Sequence, residues 1–272
     1  MNRIFMTLVG MWLLSQGASA CVQLSAAPTQ GALLWMKVDP NAIVTLNKNI
    51  LDVAADGTVV FGFGRDAKPT ATLRIKTDYV CEQQLSISVR KYGVQFIEGV
   101  PRRTVVPDAS HLERIRREAQ LVRQAKSINT PNTDFLGGFL WPLKGPITGV
   151  YGSQRVYNGK PGSPHYGLDV AAPIGTPVAA PAPGRVVLAE QNLFFSGGTL
   201  IIEHGMQVTS SFLHLSKILV KVGDWVEPGM TIAEVGATGR VTGPHLDWRM
   251  NWRDHRVDPQ LLVKPLLPTV AE

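Results

Sequence analysis

Short runs of β-branched, aliphatic and aromatic residues recur along most of this chain, and turn-forming residues break them at close intervals. In residues 22–106 the apolar runs include ALLWMKV, VVFGF and ATLRI, and the breaks include DPN, ADG and GRDAKP. From residue 139 onward the runs include GRVVLAE, GTLIIEHG and VTSSFLHL. Runs of this length between such breaks predict strands joined by tight turns. The sequence therefore predicts an all-β protein.

One segment, residues 107–127, has helical period instead. Its apolar residues fall on one stripe, and Ser110 with Glu113 has the spacing of a capping box. The opposite face carries Arg114, Arg117 and Glu118, and we expect it to be solvated. Residues 128–138, INTPNTDFLGG, have the composition of a linker.

These segments predict the domain organisation. With 272 residues, 44% hydrophobic and 18% charged, the chain is globular in composition and long enough for two domains. We expect a small N-terminal β-sandwich-like domain, a linking helix and a C-terminal antiparallel β domain. The predicted bounds are 21–106 for the first domain, 107–138 for the helix and linker, 139–262 for the second domain, and 263–272 for a tail.

The first twenty residues have the features of an export signal. A basic start is followed by the apolar run IFMTLVGMWLL and then by Ala-Ser-Ala before Cys21. The run is too short to span a bilayer, and no other apolar run reaches 18 residues. We therefore expect a signal peptide at residues 1–20 and a periplasmic or secreted protein without an integral membrane segment. Lipidation of Cys21 is the alternative, although alanine stands at position 18 where lipoprotein signals usually carry leucine.

Two cysteines, Cys21 and Cys81, remain after that cleavage. An exported protein meets oxidising conditions, so a disulfide between them is reasonable. The alternatives are two unpaired cysteines, or a lipidated Cys21 with a buried Cys81.

The formal net charge is +6, which suits attraction to an anionic polymer of the cell envelope. Basic and aromatic residues do not cluster into a stripe along the sequence, and export would take the chain away from nucleic acid. We therefore expect no nucleic-acid partner.

Five of the six histidines lie in the predicted second domain. His165 and Asp169 are four residues apart, and in an extended chain that spacing puts them on one face. An imidazole and a carboxylate that point together can begin a zinc site, although most such pairs are structural partners. His214 ends an apolar strand, and His245 with Asp247 in TGPHLDWRM would share one strand face. These groups indicate a metal site only if their three β segments converge.

The order of the motifs is more specific than any one of them. GPITGVYGSQR, HYGLD, GTPV, GRV, EHG, HLS, VGDWVEPG and GATGRVTGPHL, in that order, resemble the M23 metallopeptidases, the lysostaphin and LytM-like family. The resemblance covers about residues 140–260. The early stretch from WMKVDPN to GRDA also resembles the N-terminal β domain of Gram-negative members. A LytM-like antiparallel β peptidase domain is therefore expected.

This resemblance implies roles for particular residues. His165 and Asp169 match the first two zinc ligands, and His214 and His245 match the two non-ligand histidines that handle protons or the oxyanion. The third ligand is normally the second histidine of His-x-His, where this chain has Asp247. A carboxylate oxygen binds zinc at about the same distance as histidine, but it adds a negative charge to the shell.

Three more positions complete the comparison with the family. A tyrosine often found two residues before the His214 position is Phe212 here, so no hydroxyl is available. His204 matches a structural histidine, and we expect His255 at the surface.

The resemblance implies a zinc metalloendopeptidase that hydrolyses peptide bonds in the stems or cross-links of peptidoglycan. The alternative is a catalytically degenerate LytM-like protein that binds the wall or activates a cell-wall amidase. Retention of four of the five site positions, with a competent ligand at the fifth, favours the enzyme.

Overall fold

The computed structural model describes residues 21–97 and 109–265. The predicted signal peptide and the last seven residues of the predicted tail lie outside the described residues.

Residues 21–97 form seven short strands. In β5, TATLRIK, every second residue is buried, which is the alternation expected of a strand with one face on a core. The strands are β1 (Leu33–Lys37), β2 (Ile43–Leu46), β3 (Asn49–Leu51), β4 (Thr58–Gly62), β5 (Thr70–Lys76), β6 (Val80–Ser86) and β7 (Val94–Ile97). A β1–β4 pair and a four-stranded sheet of order β3-β2-β5-β6 enclose a common apolar core.

The single α-helix of the described residues, α1, runs from Leu112 to Lys126. The predicted capping box is wrong: a 3-10 turn precedes the helix, and the N-cap is His111, which makes no side-chain cap hydrogen bond. No helix among the described residues is long and apolar enough to cross a bilayer.

The sequence suggested that the helix face with Arg114 and Glu118 is solvated. In the structure, part of this face instead contacts the C-terminal part. Arg114 donates to the carbonyl of Asn192, and Glu118 accepts from the backbone N–H of Phe194 at 2.7 Å. These bonds fix the helix to the end of the strand Gly184–Leu193 and to the turn that follows it. The apolar side of α1 packs on Val187, Leu188 and Ile201 through residues that include Ala125.

Thirteen strands follow the helix within the described residues up to 265. They are β8 (Ile147–Gly149), β9 (Gln154–Tyr157), β10 (Lys160–Pro161), β11 (Leu168–Ala171), β12 (Pro177–Ala179), β13 (Gly184–Leu193), β14 (Gly197–Gly205), β15 (Val208–Leu215), β16 (Lys217–Ile218), β17 (Trp225–Val226), β18 (Thr231–Glu234), β19 (His245–Trp252) and β20 (His255–Val257). Short 3-10 turns lie at Asp134–Gly137 and Pro259–Leu261.

The main sheet has the order β17-β13-β14-β15-β19-β11-β8, with β20 paired to β19, and every pair in it is antiparallel. A small sheet, β12-β18-β16, lies beside it. The mostly antiparallel all-β architecture with one helix confirms the predicted fold class.

The N-terminal part is joined closely to the C-terminal part. Strand β7 pairs in parallel with β9, which lies 60 residues further along the chain (Val94 opposite Gln154). Gly62 packs so closely on Val257 that an added Cβ would lie 2.9 Å from its Cγ1. Arg90 forms an ion pair at 2.8 Å with Asp258, whose side chain is only 1% exposed. The apolar core is therefore continuous across the two parts.

Cys21 and Cys81 form a disulfide, with their Cα atoms 5.8 Å apart. The pairing confirms the disulfide, the first of the three possibilities for these cysteines. It also engages the Cys21 sulfur that lipidation would require.

Candidate metal centre

Three adjacent strands of the main sheet carry the candidate residues to one place. Asp169 on β11 lies directly opposite Asp247 on β19, and Leu213 on β15 lies opposite Asp247 from the other side. Residues paired across a sheet point to the same face. The convergence that the separate sequence motifs required is therefore present.

His165 lies just before β11, and its Nε2 atom is 3.2 Å from Oδ1 of Asp169. Despite this distance, both atoms are buried and neither has a hydrogen-bond partner among the described residues. Buried polar atoms are normally satisfied, so an orphaned pair at one spot needs an explanation. A cation between them would satisfy both.

Asp247 completes a triad whose ligand atoms all lie within 4.8 Å of one another, together with His165 and Asp169. Its carboxylate is also held by Arg249, whose Nε lies 2.9 Å from Oδ1 and 3.0 Å from Oδ2. Burial would raise the pKa of Asp247, but the charge and hydrogen bonds of Arg249 outweigh it and hold that pKa below its ordinary value. Asp247 is therefore anionic and able to ligate.

Arg249 is the site residue that the sequence reasoning missed. A signal was present, because Arg249 is two residues beyond Asp247 on a strand and so lies on the same face. Opposite charges with that spacing can pair directly.

His214 owes its position to an unusual backbone. Its φ is +66°, a left-handed value that is rare outside glycine. This breaks the strand alternation after Leu213 and puts the ring beside His245, with the ring centroids 4.9 Å apart. Nδ1 lies 2.9 Å from the carbonyl of Thr238. Burial lowers the pKa of His214, which favours the neutral ring.

His245 is the first residue of β19 and lies beside the triad of His165, Asp169 and Asp247. Its Nδ1 lies 2.9 Å from the carbonyl of Gly243, and its Nε2 lies 3.9 Å from Oδ1 of Asp169. Since a carbonyl has no proton to give, each of these Nδ1 atoms must carry the hydrogen. In the neutral form of either ring, Nε2 is therefore the nitrogen that can accept a proton.

The N-terminal part supports the loop that carries His165. Residues 152 and 153 pair with the backbone of His165 through two hydrogen bonds of 2.7 and 2.8 Å. The carbonyl of Gly152 accepts from Arg65 Nε at 2.8 Å, and the ring of Tyr92 occupies the space where a Cβ on Gly152 would lie. One predicted ligand is thus positioned by residues far from it in sequence.

The other singled-out residues lie outside this centre. His204 is fully buried, with Nδ1 2.7 Å from the carbonyl of Pro183 and Nε2 2.7 Å from Ser210 Oγ, as expected of a structural histidine. His255 is exposed and stacks on Trp252. Phe212 is fully buried on β15.

A small cavity of about 170 Å³ adjoins His214 and includes Arg240 and Arg249 in its lining. A larger cleft of about 610 Å³ lies between the N-terminal part and residues 252–256. Tyr166 reaches that larger cleft, but none of the five candidate residues does. Of the two cavities, the smaller one is therefore the one that a candidate residue lines.

The donor set fits a divalent cation. One imidazole nitrogen and two carboxylate oxygens are ligands that zinc accepts, and three protein ligands leave a position open. Two glycines give the carboxylates their room: a Cβ on Gly149 or on Gly167 would lie 2.2 Å from Asp169 Oδ2 or 2.0 Å from Asp247 Oδ1. An oxygen that accepts from Arg249 keeps a second lone pair for a metal.

Comparison with known proteins identifies the family. The profile described as Peptidase family M23 matches residues 163–259, which include all five candidate residues. Peptidoglycan DD-endopeptidase ShyB of Vibrio cholerae is 30% identical over 198 residues, or 72% of this chain and 44% of ShyB. Peptidoglycan DD-endopeptidase ShyA of the same organism is 43% identical over 110 residues, or 40% of this chain and 25% of ShyA. The chain thus spans less than half the length of these two relatives.

A solved structure covers nearly the whole fold. The crystal structure of a Pseudomonas aeruginosa protein assigned to peptidase M23 superimposes with a TM-score of 0.66 at 30% identity. The match covers 86% of this chain and 94% of that one. Together with the profile match, this extended likeness shows that the chain belongs to peptidase family M23.

Proposed function

We propose that this protein is a zinc metalloendopeptidase that hydrolyses peptide bonds of peptidoglycan stems or cross-links during cell-wall remodelling. The observation that carries the proposal is the orphaned, buried pair of His165 Nε2 and Asp169 Oδ1 beside Asp247. Relatives named peptidoglycan DD-endopeptidases and a net charge of +6 support the choice of substrate.

In this proposal His165, Asp169 and Asp247 hold the metal. Bound zinc supplies Lewis acidity toward the scissile carbonyl and makes a water molecule more acidic. His214 and His245 supply the proton chemistry, because a backbone carbonyl holds the Nδ1 hydrogen of each ring and leaves Nε2 as the nitrogen that exchanges a proton. One of them takes the proton of the attacking water and returns it to the leaving amine, so that no net proton is consumed.

The fixed Nδ1 contacts give these histidines a definite orientation. Thr238 and Gly243 hold the two rings through backbone carbonyls, which cannot change protonation state. Burial keeps His214 neutral near pH 7, as a general base must be. Phe212 offers no hydroxyl, so the protonated histidine is also the group available to stabilise the oxyanion.

The same proposal includes the organisation of the chain. We propose that residues 139–262 form the peptidase domain, that residues 21–106 form an accessory β domain, and that residues 1–20 direct export to the periplasm or exterior. Relatives that act on peptidoglycan support a site of action outside the cytoplasm. The degenerate alternative, with an amidase partner, is not favoured by these relatives.

The test is peptidoglycan digestion with metal analysis. Protein lacking residues 1–20 is expected to contain zinc and to release muropeptides from purified sacculi, and a chelator should stop the release. His214→Gln and His245→Gln are expected to lose about a hundredfold or more of the rate while they retain metal. His255→Gln is the matched control, because its ring is exposed and outside the centre.

Two results would contradict the proposal. If zinc-loaded wild type releases no muropeptide, the proposed enzymatic activity is refuted. It is also refuted if the chelator does not change the rate of release. Stimulation of a separate amidase by such an inactive protein would instead support the degenerate alternative.

A further inference from the structure

Asp247 does not stand alone at the third ligand position. Both of its carboxylate oxygens accept hydrogen bonds from Arg249, through Nε and the neighbouring Nη2. The Asp247 side chain is 3% exposed and that of Arg249 is 27% exposed, so the carboxylate is buried and the guanidinium is partly exposed. Such bidentate pairing fixes the plane of the carboxylate as well as its position.

The surroundings of Arg249 keep it directed toward Asp247. Two other basic side chains, Lys126 and Arg256, both donate to Oδ1 of Asn251, which lies two residues beyond Arg249 on the same strand face. The guanidinium of Arg256 repels that of Arg249 and disfavours its rotation to that side, and Asp247 attracts it to the other. The orientation of the pair is thus determined from both ends.

The charge of the pair is the important quantity. An aspartate in place of a neutral histidine adds one negative charge to the ligand shell. The Arg249 guanidinium adds one positive charge in direct contact with it. Together the two side chains carry the net charge of a single neutral imidazole, while the carboxylate keeps lone pairs for a metal.

We infer that Arg249 is a positioning residue that makes Asp247 usable as the third metal ligand, so that positions 247 and 249 form one unit and must change together. This inference rests on the proposed metal site. It has an unexpected consequence: histidine at position 247, the residue usual in the family, should be a poor ligand here as long as Arg249 remains. The guanidinium would then lose its partner and place an uncompensated positive charge beside the cation.

The experiment compares zinc affinities measured by competition with a chromogenic chelator, so it does not depend on activity. Asp247→His is expected to bind zinc about ten- to a hundredfold more weakly than wild type, the usual effect of disturbing a partner of a metal ligand. Asp247→His with Arg249→Gln is expected to regain about tenfold or more. The matched control is Asp247→His with Arg253→Gln, which has the same net charge but removes a guanidinium paired with Asp52 instead.

The possible outcomes separate this inference from the function on which it rests. If Asp247→His binds zinc as tightly as the Arg249→Gln double variant, the inference is wrong and the metal site stands. If the Arg253→Gln control regains as much affinity, general charge is responsible and the inference is again wrong. If neither wild type nor any variant binds zinc, the proposed metal site fails, and the inference fails with it.

Folding of each variant is checked by thermal unfolding of the metal-free protein. If histidine does not fit at position 247, Asp247→Asn provides a second series because its side chain has almost the same volume. Its zinc affinity is expected to fall below that of wild type and to recover partly with Arg249→Gln. Equal affinities of the single and double Asn variants would overturn the inference.

Discussion

Gly167 should be among the positions least tolerant of a single added methyl group. An alanine Cβ there would lie 2.0 Å from Asp247 Oδ1 and 2.8 Å from Arg249 Cγ, where ordinary contacts begin near 3.4 Å. Since Gly167 has no positive φ, the effect would come from crowding alone. We therefore expect Gly167→Ala to displace the carboxylate from its present position.

The magnitude follows from the contacts that would be lost. To reach an ordinary contact the oxygen must retreat by roughly 1.4 Å, which breaks its 2.9 Å hydrogen bond with Arg249 Nε. Loss of a charge-assisted hydrogen bond costs about 1.5–3 kcal/mol, and overpacking costs about 1–3 kcal/mol. We expect the free energy of unfolding to fall by about 3 kcal/mol, and the zinc affinity to fall as well.

The assay is urea unfolding of the metal-free protein, followed by zinc titration of the folded variant. Gly243→Ala is the matched control, because it is in the neighbouring motif and its Cβ would meet no atom within 4 Å. If the two variants differed by less than about 0.5 kcal/mol and bound zinc equally, the crowding argument would be refuted.

Three further predictions concern stability. Cys81→Ser should cost about 2–4 kcal/mol, and a reductant should destabilise wild type but not this variant in denaturant unfolding. Burial lowers the pKa of His204 from 6.5 to about 4, so the unfolded chain binds a proton that the folded chain does not; unfolding free energy should therefore decline as pH falls from 6.5 to 4. His204→Gln should remove up to about 3 kcal/mol of that decline, as measured by urea unfolding between pH 6.5 and pH 4. If the unfolding free energy of this variant depends on pH as that of wild type does, the prediction is wrong. Arg90→Ala leaves Asp258 buried without its cation and should cost about 3 kcal/mol by thermal or urea unfolding, the low end for a buried pair because Arg90 is partly exposed. The control is Arg116→Ala, on the exposed face of α1, which should change the free energy of unfolding by less than about 0.5 kcal/mol.

Much of this site could be predicted from sequence because it depends on local strand geometry and on ordered motifs. The period of two puts His245 and Asp247 on one face, and the motif order indicated that their segment meets that of His165 and Asp169. The structure brings these residues together. Their roles as ligands and proton carriers remain predictions that the experiments above address.

The remaining features depend on contacts between segments far apart in the chain. The parallel pairing of β7 with β9 joins segments 60 residues apart, and no local pattern predicts such a partner. No local pattern predicts the positive φ of His214, since such values are uncommon for any residue other than glycine. The helix surface around Arg114 was expected to be solvated because a charged helix face looks the same in sequence whether water or a loop covers it.

Tyr92 and Arg65 support the loop that carries His165. This contact limits how far the chain can be truncated from its N-terminal side. A truncated protein that began at α1 would keep all five candidate residues but lose the ring against Gly152 and the bond to its carbonyl. It would also expose one edge of β9, now covered by β7, to pairing with other chains. We expect such a fragment to aggregate and to hold metal poorly, so residues 21–97 belong to the smallest unit worth expressing.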